Sequence, residues 1–157
     1  MTIDDVADYI ILQLVSGGEQ INLLKLQKLV YYAQAWSLAI REQSLFDDKF
    51  QAWVHGPVSR KLYDRFAESK SLYSSVSESD LQAGFTSDRI SPIDRAHIDA
   101  VMEVYAPLSG SQLEEMTHQE EPWQAARNGF GPSQRCEIEI EESLMTKYYS
   151  QRLQASS

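Results

Sequence analysis

The sequence predicts a single, mainly α-helical domain of about six helices with a minor, short two-stranded β element. Apolar residues recur at helical spacing in several segments, whereas the alternation typical of a strand is confined to residues 50–54. Neither an internal repeat nor a linker divides residues 1–157. At this length, with 43% apolar residues, the chain can bury a core of its own.

The first two helices have clear start signals. Thr2 is the expected cap of the first helix, with Asp5 three residues on, and Asn22 is the expected cap of the second. The second helix, residues 23–40, is apolar almost all round, which is typical of a central, buried helix. Its polar exceptions are Lys25, Gln27, Lys28 and Gln34.

A strand followed by a helix is predicted after the second helix. Residues 50–54 alternate apolar and polar positions, and Gly56 ends the strand. Pro57 suits the first turn of a helix, because its missing N–H would be unpaired there, and helical spacing continues from Val58 to Phe66.

The connection that follows, residues 68–91, is rich in Ser and has little periodicity. We expect it to lie on the surface, with a second short strand near residues 85–86 that pairs with residues 50–54. Ser91 and Pro92 then open a third long helix, which ends at Pro107.

Three further helical segments are predicted in the last third of the chain. Ser111, with Glu114, forms a candidate capping box for a short helix, and Pro122 opens the next turn. The last helix is expected over residues 138–153, with the acidic residues of 137–142 in its first turn, where the helix dipole favours negative charge.

The charge balance favours a basic partner over nucleic acid or membrane. Fourteen Lys and Arg against 23 Asp and Glu give a net charge of −9, which repels phosphate backbones and anionic lipid. No apolar run approaches the ~20 residues of a membrane span. Asp4, Asp5 and Asp8 stand where a signal peptide needs basic residues. With one cysteine, Cys136, the chain needs no oxidising compartment, and we expect a cytoplasmic protein.

Few residues suggest catalysis or metal binding. The three His and Cys136 lie too far apart in sequence for a zinc site, so we expect neither a metal nor a cofactor. The acidic neighbours of Cys136 make it a poor nucleophile. A small hydrolase using His55 and His118 remains an alternative, and it requires both rings to converge on a pocket with an acid such as Glu120.

A nucleic-acid-binding module is a second alternative, and it rests on a modest basic patch. A continuous basic groove would be needed to support it. The residues that would form the patch are Lys25, Lys28, Arg60, Lys61 and Arg65.

Three segments, taken together and in order, resemble one protein family. They are LLKLQKLVYYAQAWSLA (23–39), FDDKFQAWVHGPVSRKLYDRF (46–66) and LEEMTHQEEPWQAAR (113–127). In this combination the chain resembles the Panacea, or SocA-like, antitoxin family, also known as phage-associated GepA-like proteins. The similarity spans residues 5–150. The family pattern falls on Lys25, Leu26, Gln27, Lys28, Leu29, Tyr31, Tyr32, Ala52, Trp53, Gly56, Pro57, Val58, Thr117, His118, Pro122 and Trp123.

The resemblance implies a helical domain that is the antitoxin of a type II toxin–antitoxin module and neutralises its toxin by direct binding. The toxin would be encoded by the adjacent gene. Some SocA-like members also present the toxin to a protease, so a protease or chaperone is a second expected partner. Many members carry an additional DNA-binding segment outside the domain. The similarity here fills the sequence, so control of its own promoter is not part of the prediction.

The toxin-binding surface is expected where two corners meet beside the central helix. The first corner carries Gly56, Pro57 and Val58, and the second carries Pro122. Trp53 and Trp123 should be mostly buried at these corners. Polar residues that interrupt a buried helix suggest an edge that faces water or a partner. The predicted contacts are Lys25, Gln27, Lys28, Tyr31, Trp53, His55, His118 and Trp123.

Overall fold

Seven α-helices form across residues 1–155, the part of the chain that the computed structural model describes. The predicted mainly α fold with a minor β component is confirmed. The helices are α1 (Ile3–Ser16), α2 (Leu23–Trp36), α3 (Arg60–Phe66), α4 (Pro92–Tyr105), α5 (Gly110–His118), α6 (Glu121–Ala126) and α7 (Glu142–Ala155).

Two short antiparallel pairs of strands accompany the helices. Their strands are β1 (Ile21–Asn22), β2 (Gln51–Trp53), β3 (Gly56–Val58) and β4 (Ser75–Val76). Strand β1 pairs with β4, and β2 pairs with β3 in a hairpin that sets Trp53 opposite Gly56. The partner of β2 is thus the segment directly after it, and the expected strand near residues 85–86 is wrong, because that stretch leads into a 3₁₀ turn at Ser87–Arg89.

Helix α2 is the centre of the fold, as predicted. Helices α1, α4, α5 and α7 pack around it, and residues 23–35 are all buried. Each fully buried leucine on it, such as Leu26 or Leu29, contributes about 1.5–3 kcal/mol of burial energy. The helix continues into one π turn, Ser37–Arg41.

The predicted caps are confirmed for three helices. Thr2 and Asp5 form a reciprocal capping box on α1, the Asn22 side chain accepts from the Lys25 N–H at the start of α2, and Ser91 caps α4. Pro122 lies in the first turn of α6, as expected.

Three predicted boundaries are wrong. Pro57 lies in β3, and helix α3 begins only after Ser59, whose side chain accepts from the Leu62 N–H. Helix α5 is capped by Ser109, with Gln112 closing the box, and not by Ser111. Helix α7 starts at Glu142 because residues 138–140 are extended, with backbone hydrogen bonds from Ala52 to Ile138 and from Ile140 to Phe50.

A candidate interaction surface

The tip of the β2–β3 hairpin meets the first turn of helix α6. The indole Nε1 of Trp123 donates to the backbone oxygen of Trp53 at 2.8 Å, and the Arg127 guanidinium donates to the Ala52 oxygen at 2.8 Å. Arg127 also lies over the Trp123 ring, 5.1 Å from its centroid. The predicted meeting of the two tryptophan corners is therefore confirmed.

Trp53, His55, His118 and Trp123 form what we call the tip surface. The His118 ring stacks on Trp123 with centroids 4.2 Å apart, and His55 Nδ1 lies 3.1 Å from Glu114 Oε1. Burial lowers the pKa of His118, and the nearby Glu114 carboxylate opposes part of this shift. Trp53 and Trp123 are mostly buried, as predicted, but neither is fully enclosed, so each keeps some accessible surface.

A groove of about 420 Å³ opens beside Trp53, and we call it the tip groove. The Trp53 ring packs edge-to-face on Tyr63 at 4.9 Å, and the Arg60 guanidinium lies 5.5 Å from its centroid. Such an arrangement offers aromatic area and hydrogen-bond donors together. The lining residues are Trp53, Val54, His55, Arg60, Tyr63, Ser133, Arg135, Cys136 and Glu137.

Sequence reasoning missed Arg60, Tyr63 and Arg135 as parts of this site. Arg60 and Arg135 both contact the Glu137 carboxylate, at 3.3 and 2.9 Å. Tyr63 carries only a helical spacing signal, Arg60 counts only toward the basic patch of the nucleic-acid alternative, and Arg135 lies in a segment without periodicity. The aromatic and basic composition of residues 60–65 was the one signal that could have indicated them.

The polar residues of α2 hold the hairpin by its backbone. The Gln27 side-chain amide donates to the Ser59 oxygen at 3.1 Å, and its oxygen accepts from the Ser59 N–H at 2.9 Å. Lys28 Nζ donates to the Pro57 oxygen at 3.0 Å. The segment Gly56–Ser59 is buried, so these bonds satisfy backbone groups that would otherwise lose water without compensation.

Lys25 and Tyr31 are also engaged inside the fold. Lys25 Nζ donates to the Ala106 oxygen at 2.6 Å, and the Tyr31 hydroxyl lies 3.2 Å from that of Tyr149. Burial lowers the pKa of Lys28 to about 7. Lys25, Gln27, Lys28 and Tyr31 are all buried, so the expectation that this edge of α2 faces water or a partner is wrong. Any effect of these side chains on binding would pass through the backbone they hold.

The two histidines do not line one groove together with Glu120, the acid that the hydrolase alternative named, although both lie near Glu114. His55 lines the tip groove and pairs with Glu114, whereas His118 lies on Trp123. The Glu120 carboxylate instead accepts hydrogen bonds from the buried hydroxyls of Tyr32 and Tyr149, at 2.8 and 2.7 Å. Burial raises the pKa of Glu120.

The basic patch of the nucleic-acid alternative is not assembled. Lys25 and Lys28 are buried, and Arg65 Nη2 lies 2.7 Å from the fully buried Asp8 carboxylate. Arg60 and Lys61 remain at the surface, and both have carboxylate partners.

Metal binding and membrane insertion find no support in residues 1–155. No group of three His, Cys, Asp or Glu side chains there is arranged to hold a metal ion, and the absence of a metal stays a prediction. Cys136 is buried. No helix in this part of the chain is both long and apolar enough to cross a bilayer.

Comparison with known proteins confirms the resemblance drawn from the motifs. The family model described as "Antitoxin SocA-like, Panacea domain" matches residues 26–124, which include both corners of the tip surface. The chain belongs to this family.

One curated relative is Antitoxin SocA of Caulobacter vibrioides (strain NA1000 / CB15N). The chain is 30% identical to it over 117 residues, which are 71% of this chain and 62% of the relative. The matched part thus spans less than two thirds of the relative's length. No solved structure matches the chain.

Proposed function

We propose that this chain is the antitoxin of a type II toxin–antitoxin module and neutralises a protein toxin by direct binding, without catalysis. The observation that carries the proposal is family membership, because the family model covers both segments that build the tip surface. The toxin is the product of the adjacent gene, and delivery of the bound toxin to a protease is a further step that the same complex would allow.

The tip surface and the tip groove are the proposed contact site for the toxin. Tryptophan, tyrosine and arginine dominate the energetics of protein interfaces, and Trp53, Tyr63 and Arg60 lie together here. The hairpin segment between Trp53 and Arg60 is held by buried hydrogen bonds from α2 to the oxygens of Pro57 and Ser59, so little order has to be gained on binding. The net charge of −9 speeds encounter with a basic toxin.

Co-expression with the adjacent gene tests the proposal. The adjacent product alone should stop growth, and this chain should restore it through a complex that purifies intact. Trp53→Leu and Arg135→Glu should each weaken toxin binding about thirtyfold or more, as expected for central interface residues. Lys147→Glu is the matched control for the charge reversal, because Lys147 is exposed on α7 and lines neither the tip surface nor the tip groove.

The possible outcomes test the antitoxin function and the location of the toxin-binding site separately. A harmless neighbour, or a toxic one that this chain does not rescue, would overturn the antitoxin function. Rescue and binding that survive both tip variants, with melting temperatures unchanged, would keep the function and overturn the tip surface as its site.

A further inference from the structure

Helix α4 carries apolar residues on part of its exposed side as well as on the side that packs. Ile98, Met102 and Tyr105 are buried, yet Ile93 and Val104 are 75% and 64% exposed. The water-facing side of a surface helix is normally polar, so a continuous apolar stripe there indicates a partner.

The stripe borders a groove of about 210 Å³, which we call the α4 groove. It lies between α4 and the π turn Ser37–Arg41, where Ile40 is 53% exposed. The lining residues are Trp36, Ile40, His97, Ala100, Val101, Val104 and Tyr105. It shares no lining residue with the tip groove.

The Trp36 indole nitrogen, the Tyr105 hydroxyl and one ring nitrogen of His97 in this lining are already engaged with each other or with the backbone. Trp36 Nε1 donates to the Tyr105 hydroxyl at 2.8 Å, and His97 Nε2 lies 3.0 Å from the Ala33 oxygen. Burial lowers the pKa of His97, because the charged form of the ring is less well solvated there. What the groove presents to solvent is therefore almost entirely hydrocarbon and ring surface.

The shape of the stripe suits a helix. Ile93, His97, Ala100 and Val104 are spaced by four, three and four residues, so they line one side of α4 over about 16 Å. A groove between two helical segments is the geometry in which a third, amphipathic helix packs.

Charge decides what kind of helix fits. Asp99 and Glu103 lie exposed on α4, one turn apart, a like-charge spacing that costs an isolated helix stability, and Arg95 lies one turn before Asp99 in the same row. Asp99 accepts from the Tyr9 hydroxyl at 2.7 Å, and Glu103 has no ion-pair partner within residues 1–155. At the Ile93 end, Arg41 and Asp94 form an ion pair with each other. Two cations, Arg41 and Arg95, stand against three carboxylates, Asp94, Asp99 and Glu103, so the charge along this part of α4 is negative by the one carboxylate of Glu103.

We propose that the α4 groove binds an amphipathic helix of a partner protein, with its apolar face on Ile40, Ala100 and Val104 and a basic residue beside Glu103. This site does not depend on the tip surface or on the antitoxin role.

A synthetic probe tests the site directly. The probe is a fluorescein-labelled, 14-residue helical peptide with leucines on one face and lysines on the other, titrated with the full chain by fluorescence anisotropy. Val104→Asp should weaken binding at least about tenfold, as expected for a central interface contact. Ile138→Asp is the matched control, because Ile138 is also exposed but lies outside the α4 groove.

The charge change makes the comparison decisive. Both variants add one negative charge, so unspecific attraction of a basic peptide would strengthen binding to both. Only binding in the α4 groove predicts a loss for Val104→Asp alone. A second peptide, with glutamates in place of lysines, should bind at least about tenfold more weakly than the first.

Several results would overturn the proposal. They are no binding of the lysine peptide, equal binding to both variants, and equal binding of the two peptides. Self-association of the wild-type chain in analytical ultracentrifugation, abolished by Val104→Asp, would assign the face to a second copy instead. If Val104→Asp fails to fold by circular dichroism, Ile40→Asp takes its place on the opposite wall of the groove.

Discussion

Replacing Gly56 by alanine tests how tightly the hairpin is held against α2 and α5. Gly56 has a φ of +94°, and a Cβ built there would lie 2.7 Å from both Lys28 Cε and Thr117 Oγ1. Neither neighbour can move away easily. Lys28 is fully buried with its Nζ donating to the Pro57 oxygen, and the Thr117 hydroxyl donates to the Glu114 oxygen at 2.7 Å.

The expected loss of stability has two parts. A non-glycine residue at positive φ costs about 1–2 kcal/mol. Forcing an extra methyl group into a packed site costs a further ~1–3 kcal/mol. Gly129 provides the matched control, because its φ is +92° and a Cβ there would meet no atom within 4 Å. Gly129→Ala should therefore cost only the first part, about 1–2 kcal/mol.

Urea unfolding at constant pH measures both variants against the wild type. Gly56→Ala should lose about 1–3 kcal/mol more than Gly129→Ala. For a chain of this length each kcal/mol lowers the melting temperature by roughly 2–4 °C, so thermal scans should show the same order. Equal losses would refute the reasoning, because they would show that backbone conformation alone makes glycine necessary at this position.

Two further predictions concern buried cations. Because burial lowers the pKa of Lys28 from 10.5 to about 7, the unfolded chain binds a proton between these pH values that the folded chain does not. The free energy of unfolding of the wild type should thus rise with pH, relative to that of Lys28→Met, by up to ~1.4 kcal/mol per pH unit. If the urea midpoints of the two proteins change in parallel from pH 7 to 9, the prediction is contradicted. Arg127→Met should cost about 3 kcal/mol or more in urea unfolding, because it strips donors from the oxygens of Ala52, Gly131 and Gln134. Arg135→Met, at an 80% exposed side chain, is its control and should stay within about 0.5 kcal/mol.

Local signals in the sequence predicted the helices well. The side chains of Thr2, Asn22 and Ser91 accept from N–H groups within three residues, and the apolar spacing of α2 follows from burial on every side. Such features depend on neighbours along the chain, so they can be predicted from the sequence.

Features that depend on contacts between distant segments were predicted less well. Pro57 is equally suited to a first helical turn and to a strand whose N–H is not needed. Hydrogen bonds from Lys28 and Gln27, about thirty residues away, stabilise the strand conformation of this segment. The same contacts explain why Lys28 is buried. A lysine in an apolar helix does not reveal from the sequence that it will donate to a distant backbone carbonyl, so its burial was not predicted. The tip groove likewise draws on residues 53–63 and 133–137, which no periodicity connects.

The attachment of the hairpin to α2 has a consequence for diversification. Gln27 binds main-chain atoms of residue 59, and Lys28 binds the main-chain oxygen of residue 57. Trp123 and Arg127 donate to the main-chain oxygens of residues 53 and 52, respectively. Main-chain atoms are the same whatever the side chain. Substitutions at positions 53–55 therefore leave the anchoring bonds in place, and a library randomised there would sample new recognition surfaces on a constant frame.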